Sequence, residues 1–191
     1  VLKAVRGEKT ALAFIFHDEN NERDFLFYRE NSADQNLFEE EINEDLFTTI
    51  KYLHFGSVSL TEEPMRSATF TAIDLCKKNG GKISFDPNIR PELMVDNEFK
   101  DLFKIIISKA YVIFPTEEEL VALANEKDLK KAALNLIRQG PEIIAVKQHQ
   151  KGSTEHAHSV ACIEELEPPG DATFVVENLG VVNEGVRCST F

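Results

Sequence analysis

The sequence predicts an α/β fold in which a mostly parallel sheet is flanked by helices and accompanied by a small β-hairpin. From residue 52 onward, short apolar runs alternate with helical periodicity, the pattern of strands joined by crossover helices. Near the amino terminus, two β-rich runs flank a turn-rich break. The composition, 42% hydrophobic and 28% charged over 191 residues, is that of a globular chain that can bury a core.

The hairpin is predicted from residues 10–16 and 22–28. Residues 18–21, Asp-Glu-Asn-Asn, supply the turn between them, because Asn and Asp tolerate the backbone angles that tight turns require. This pair of runs precedes the alternating part of the chain. We therefore expect it to form a separate two-stranded piece.

Four strands and three helices are predicted in the alternating part. The strands are short apolar runs at residues 52–55, 82–85, 111–114 and 142–147. Helical periodicity runs through residues 65–76, 99–106 and 129–137. We expect Glu62 and Glu63 in the first turn of the first helix, where acidic side chains complement the helix dipole. Glycines at 80–81 and at 140 should end the first and third helices.

The net charge, the hydropathy and the cysteines limit the classes of partner and the cellular compartment that we expect for this protein. With 21 Lys and Arg against 33 Asp and Glu, the net charge is −12, which disfavours nucleic acid as a partner. No apolar run approaches the roughly 18 residues needed to span a bilayer, so no membrane partner is expected. Three cysteines without a CxxC pair indicate neither a disulfide framework nor a zinc site. We therefore expect a cytoplasmic protein.

Polar side chains follow three of the predicted strands. Residues 86–90 read Asp-Pro-Asn-Ile-Arg, residues 115–119 read Pro-Thr-Glu-Glu-Glu, and Lys147 ends the last predicted strand. The carboxyl ends of parallel strands form one edge of a sheet, where ligands bind. Asp accepts hydrogen bonds while Asn and Arg donate them, so residues 86–90 suit the hydroxyls of a polyol. The structural alternative is an Asx turn built on Pro87.

Several motifs in one order resemble the ribokinase-like (PfkB) family of carbohydrate kinases. Residues 76–90 resemble that family's DPNxR segment, with Phe55-Gly56-Ser57 upstream and residues 114–120, FPTEEEL, downstream. Residues 22–29 with Ala33-Asp34 resemble the fructokinase branch in particular. The similarity covers roughly residues 10–174. It implies an enzyme that moves the γ-phosphate of ATP onto a sugar hydroxyl.

The resemblance implies three sugar contacts. In the family, the Arg that ends the Phe-Tyr-Arg run, here residues 27–29, and the Arg of DPNxR approach the sugar. Arg29 and Arg90 are therefore candidate substrate contacts, together with Asn88. The alternative for Arg29 is a solvated charge at the end of a strand.

The resemblance also implies a nucleotide and Mg²⁺ site. Family members carry an NxxE motif that organises magnesium and phosphate; here Thr116 replaces the Asn and Glu119 is retained. A capping box, with Thr116 and Glu119 satisfying each other's backbone at a helix start, is the structural alternative. Lys147 matches the lysine that faces nucleotide phosphate, although Gln148 and His149 depart from the expected Leu-Gly.

The catalytic box is read at residues 167–174, Glu-Pro-Pro-Gly-Asp-Ala-Thr-Phe. By resemblance, the amides around Gly170 form an anion hole and Asp171 takes the proton of the sugar hydroxyl. The Thr-Gly-Ala expected before this pair is missing. Either loop residues are missing from the sequence, with the remainder numbered continuously, or the chain is a degenerate, catalytically weak relative. We favour the first explanation, because the amino-terminal third expected of the family is missing too.

The sequence thus predicts a cytoplasmic, homodimeric fructokinase that uses ATP and Mg²⁺. We expect residues 1–9 and 38–191 to form the nucleotide- and sugar-binding core, and residues 10–37 to form a β lid that covers the sugar. Two enzyme alternatives remain, a 2-keto-3-deoxygluconate kinase and a ribokinase. The alternative of another class is a non-catalytic regulatory protein that binds sugar or nucleotide.

Overall fold

A computed structural model describes residues 6–17, 19, 23–89, 98–149 and 158–162 of the chain. The chain divides into two compact units, Val1–Phe103 and Lys104–Phe191. Among the described segments, no helix is both long and apolar enough to cross a bilayer. The predicted catalytic box lies outside the described residues, as does Arg90.

The first unit begins with an antiparallel hairpin. Strand β1 (Leu12–His17) pairs with strand β2 (Arg23–Tyr28), so that Leu12 faces Tyr28 across the pair. The predicted hairpin is therefore confirmed, with each strand starting one or two residues later than expected. The rings of Phe14 and Tyr28 meet edge to face, with centroids 5.6 Å apart, and both side chains are exposed.

The rest of the first unit is a strand–helix–strand arrangement. Strands β3 (Tyr52–Gly56) and β4 (Lys82–Asp86) run parallel, and helix α1 (Met65–Lys78) connects them. The helix predicted at residues 65–76 is confirmed, and the buried residues of α1 include Ala68, Ala72, Ile73 and Cys76. The described part of this unit also contains four 3-10 helices: Ala33–Gln35, Glu39–Glu41, Glu44–Thr48 and Ser57–Leu60.

The start of α1 differs from the prediction. The helix begins at Met65, and its first turn contains no acidic residue, so Glu62 and Glu63 precede it. Their place in the first turn was wrong because Pro64 occupies the N-cap position and shifts the helix start along the chain. The end of α1 is as predicted, since Gly80 follows at φ 77°, in the left-handed region that favours glycine.

Helix α2 (Glu98–Lys109) crosses into the second unit, which continues with strand β5 (Val112–Ile113) and helices α3 (Glu117–Ala124) and α4 (Leu129–Ile137). The other described strands of this unit are β6 (Ile143–His149) and β7 (His158–Cys162). Strands β5 and β6 run parallel, whereas β7 pairs antiparallel with β6 and was not predicted.

The fold class is confirmed: the strands that helices connect run parallel, β3 with β4 and β5 with β6, and an antiparallel hairpin accompanies them. Strand β5 is only two residues long, shorter than the predicted run at 111–114. Both of its residues are buried, which is typical of a strand covered on both faces.

Candidate active site

Arg29 follows directly after strand β2 and is held by two other side chains. Its Nε and Nη2 donate to the same oxygen of Asp34, Oδ2, at 3.0 and 2.6 Å, and its Nη1 donates to Thr61 Oγ1 at 3.0 Å. Only 10% of the Arg29 side chain is exposed. Arg29 is therefore a largely buried guanidinium with fixed partners, and the solvated strand-end alternative is wrong.

Asp34 accepts a hydrogen bond from the buried hydroxyl group of Ser32. Ser32 is 1% exposed, and its Oγ lies 2.5 Å from Asp34 Oδ1 and 2.7 Å from the carbonyl oxygen of Arg29. Partial burial by itself would raise the pKa of Asp34. The hydrogen bonds from Ser32 and Arg29, the Arg29 charge and a backbone amide outweigh that effect and lower the pKa below its usual value. Asp34 is therefore held as a carboxylate beside Arg29.

Asn88 lies two residues beyond strand β4 in an Asx turn. Its backbone N–H donates to Asp86 Oδ1 at 3.1 Å, and its carbonyl oxygen accepts from Ser57 Oγ at 3.1 Å. Its φ is 35°, a left-handed value that few residues other than glycine and asparagine adopt readily. The Asx turn offered as the structural alternative is therefore present, and it fixes the backbone from which the Asn88 side chain projects.

The register of β3 and β4 brings the loops after them together. Gly56 is the residue opposite Asp86, and a Cβ placed on Gly56 would lie 3.6 Å from the Asp86 carbonyl oxygen. The chain turns at once into the 3-10 helix Ser57–Leu60, which ends at Thr61. The first unit thus holds Arg29 and Asn88 through side chains of a single turn.

The second unit brings three other predicted residues together. Thr116 caps helix α3: Glu119 N–H donates to Thr116 Oγ1 at 3.2 Å, and Thr116 N–H donates to Glu119 Oε2 at 2.8 Å. The predicted capping box is confirmed. Lys147 N–H donates to the Pro115 carbonyl oxygen at 2.7 Å, and Thr116 bridges to Lys147 in parallel register. The segment after β5 therefore lies beside the part of β6 that carries Lys147.

The residues of the second unit have donor chemistry that suits a nucleotide with Mg²⁺. Carboxylate oxygen is a preferred ligand of Mg²⁺ or of its bound water, and the cap uses Oε2 of Glu119. A carboxylate offers about four lone-pair positions, so it can accept from more than one group at once. Lysine supplies the positive charge that a phosphate requires.

Sequence reasoning missed the residues that hold these candidates. Asp34 and Ser57 were noted only as letters of motifs, and Thr61 was not noted at all. The fructokinase-like Ala33-Asp34 and the Phe55-Gly56-Ser57 run were the available signals for the first two. Thr61 carries no local signal, because it meets Arg29 across 32 positions of the sequence.

A family model described as pfkB family carbohydrate kinase matches residues 1–168. The chain belongs to this family. It is 36% identical over 149 residues to fructokinase-2 of Solanum lycopersicum, which covers 77% of the chain and 45% of that protein. The solved fructokinase of Xylella fastidiosa with bound ATP is 28% identical with a TM-score of 0.66, and the match covers 82% of the chain and 51% of that protein.

A further solved structure, from E. coli and in complex with ATP and Mg²⁺, is 26% identical to this pfkB-family chain with a TM-score of 0.65. That match covers 85% of the chain and 54% of the E. coli protein. The chain thus spans about half the length of the relatives that it matches. The match confirms the family and the fold expected from the sequence motifs.

Proposed function

We propose that the protein is an ATP-dependent sugar kinase that transfers the γ-phosphate of ATP to a hydroxyl of fructose. The observation that carries this proposal is the identity of 36% with a fructokinase over 77% of the chain. The preference for fructose over ribose or 2-keto-3-deoxygluconate rests on the same relative. The enzyme would be cytoplasmic and homodimeric, as we expect from the sequence.

On this proposal, Arg29, Asn88 and Arg90 bind the sugar. Three of the five N–H donors of Arg29 serve Asp34 and Thr61 among the described residues, which leaves two for a ligand. A guanidinium with a fixed plane loses little entropy when it binds a hydroxyl. The hairpin that precedes Arg29 would cover the sugar and exclude water, so that ATP is not hydrolysed instead.

Lys147 and Thr116 contact the nucleotide phosphates on this proposal, and Glu119 helps to hold Mg²⁺. The ion supplies positive charge that neutralises the phosphate oxygens. The capping box fixes the Glu119 carboxylate at the start of α3, and the backbone bond to Pro115 fixes the position from which Lys147 extends. Thr116 therefore orients Glu119 whether or not it also contacts the nucleotide.

The chemical step on this proposal belongs to Asp171 and Gly170. The carboxylate of Asp171 takes the proton of the attacking sugar hydroxyl, and the amides around Gly170 donate to the transferring phosphoryl oxygens. Phosphoryl transfer requires little covalent chemistry of the protein, so catalysis comes mainly from positioning and from neutralising charge. A degenerate catalytic box would favour the second candidate, a non-catalytic binder of sugar or nucleotide.

The test is Asp171→Asn in the full-length protein, with phosphorylation measured on fructose, ribose and 2-keto-3-deoxygluconate. We expect the wild type to prefer fructose, and the variant to lose turnover while it still binds the sugar in calorimetry. Asp74→Asn, at an exposed position of helix α1, is the matched control and should keep full activity. Turnover retained by Asp171→Asn would remove the assignment of the base. A wild type that binds sugar without phosphorylating it would establish the non-catalytic alternative.

A further inference from the structure

One short turn contacts both of the described residues proposed to bind the sugar. It consists of the 3-10 helix Ser57–Leu60 and its C-cap Thr61, and we refer to it as the 57–61 turn. Ser57 at its start bonds to Asn88, and Thr61 at its end bonds to Arg29. We infer that the hydroxyls of Ser57 and Thr61 are positioning groups that hold Asn88 and Arg29 in the arrangement that binds the sugar. This inference rests on the proposed sugar kinase function.

The Thr61 hydroxyl is oriented to accept from Arg29. It is in a residue that is 6% exposed, and it donates its single proton to the Val58 carbonyl oxygen at 2.9 Å. Because that proton is committed, a lone pair of the oxygen is available for Arg29 Nη1, which donates to it at 3.0 Å. Asp34 holds the opposite side of the guanidinium through Nε and Nη2. The plane of the guanidinium is thus fixed from two directions.

The Ser57 hydroxyl acts on the backbone of Asn88. Ser57 is 0% exposed, and its Oγ donates to the Asn88 carbonyl oxygen at 3.1 Å. The same residue is held from the other side by Asp86, which accepts from its N–H. These two bonds fix both peptide groups that flank the Asn88 Cα, so they set the direction in which the amide side chain leaves the backbone.

The turn itself is firmly held within the first unit. Arg66 of helix α1 donates from Nε to the Leu60 carbonyl oxygen at 2.8 Å and from Nη2 to the Thr61 carbonyl oxygen at 3.2 Å. Leu60 is fully buried. A turn fixed in this way can carry its two terminal hydroxyls as a pair with constant spacing. A shift of the turn would move both sugar contacts together.

The experiment compares Thr61→Val with Thr61→Ser in the full-length protein. Valine keeps the shape of threonine but lacks the hydroxyl, whereas serine keeps the hydroxyl and lacks the methyl group. We expect Thr61→Val to raise the KM and the calorimetric Kd for fructose about tenfold, because it removes a hydrogen bond to a charged group. Thr61→Ser should restore both values. The KM for ATP should be unchanged in both variants.

Ser57→Ala tests the second contact, and Ser59→Ala is its control. Ser57→Ala should also raise the KM for fructose and leave the KM for ATP unchanged. Ser59→Ala removes a hydroxyl of the same turn that donates to the Gly56 carbonyl oxygen and to neither Asn88 nor Arg29, so the fructose KM should stay at the wild-type value. The urea midpoint of each variant is measured as well, and kinetics are recorded where every variant is folded.

Three results would overturn the inference while the proposed function stands. The first is an unchanged fructose KM in Thr61→Val and Ser57→Ala, and the second is an equal rise of the fructose KM in Thr61→Val and Thr61→Ser. The third is a rise of the KM for ATP in parallel with that for fructose. The second would assign the effect to packing, and the third to a general loss of structure. A wild type that neither binds nor phosphorylates fructose would remove the proposed function and, with it, the inference.

Discussion

Glu119 has two candidate roles, capping helix α3 and holding Mg²⁺, and one substitution separates them. Glu119→Gln keeps an oxygen that can accept from the Thr116 N–H, now bonded at 2.8 Å, but it removes the negative charge. Capping boxes accept Gln in place of Glu for this reason. Glu119→Ala removes both the acceptor and the charge. The pair of variants therefore separates the cap from the charge.

The expected stability changes follow from the bonds of the cap. Glu119→Ala leaves the half-buried Thr116 N–H without its acceptor, which should lower the free energy of unfolding by about 1 kcal/mol. Glu119→Gln keeps the acceptor but loses the attraction between the charge and the helix dipole, about 0.3–1 kcal/mol. Glu117 and Glu118 remain in the same first turn and continue to supply negative charge, so we expect the low end of that range.

Activity should depend on the charge of Glu119 and not on the cap. If the carboxylate helps to hold Mg²⁺, Glu119→Gln should lower kcat or raise the Mg²⁺ concentration for half-maximal activity by about 10- to 100-fold. The assay is a titration of kinase activity with Mg²⁺ at saturating ATP, together with urea unfolding of each variant. Glu118→Gln makes the same charge change at an exposed position of the same turn and should keep the wild-type activity and Mg²⁺ dependence. A Glu119→Gln variant with wild-type activity and Mg²⁺ dependence would refute the metal role and leave capping alone.

Three further predictions concern the described residues. The pKa of Asp34 is lowered in the folded protein, so its contribution to stability is present above the unfolded-state pKa of about 4 and is lost as the pH falls through the folded-state value. Asp34→Asn should therefore flatten the acid limb of a plot of urea midpoint against pH; a difference from wild type that is constant with pH would contradict this. Gly140→Ala should cost about 1–3 kcal/mol in urea unfolding, because the φ of Gly140 is 152° and an added Cβ would lie 2.8 Å from the Ser108 Cα. A change under about 0.5 kcal/mol would show that the backbone can relax there. Burial raises the pKa of the Cys76 thiol, outweighing a backbone hydrogen bond from Leu53 that lowers it, so peptide mapping should find Cys76 alkylated by iodoacetamide only after denaturation. Labelling in the native protein at the rate of an open thiol would contradict it.

Local patterns predicted most of the fold correctly. The sequence predicted helices α1, α2 and α4 and the hairpin, because the periodicity and turn residues of each lie within about 15 consecutive positions. The capping box at the start of α3 was found for the same reason. The start of α1 was misplaced because acidic residues near a helix start were weighed without the effect of Pro64 on the N-cap. The antiparallel β7 was missed because the sequence around it departs from the alternating pattern.

The contacts that hold the candidate site could not be predicted in this way. Ser57 meets Asn88 across 31 positions, and Arg29 meets Thr61 across 32. The first pair depends on the register of the parallel strands β3 and β4, and the second on where the end of the hairpin meets the 57–61 turn. Neither is encoded by neighbouring residues. The sequence therefore indicated which residues are candidates to meet a ligand, while the structure was needed to find the residues that hold them.

The left-handed backbone of Asn88 has a consequence for mutational scanning. Alanine at this position would remove the amide group and would also place an ordinary side chain at a φ of 35°, a conformation that costs an L-residue about 1–2 kcal/mol. An alanine scan would then attribute the cost of the strained backbone to a lost contact with the sugar. Glycine removes the same amide without that steric penalty. Comparing the sugar affinities of Asn88→Gly and Asn88→Ala would separate the contribution of the Asn88 backbone conformation from that of its amide group.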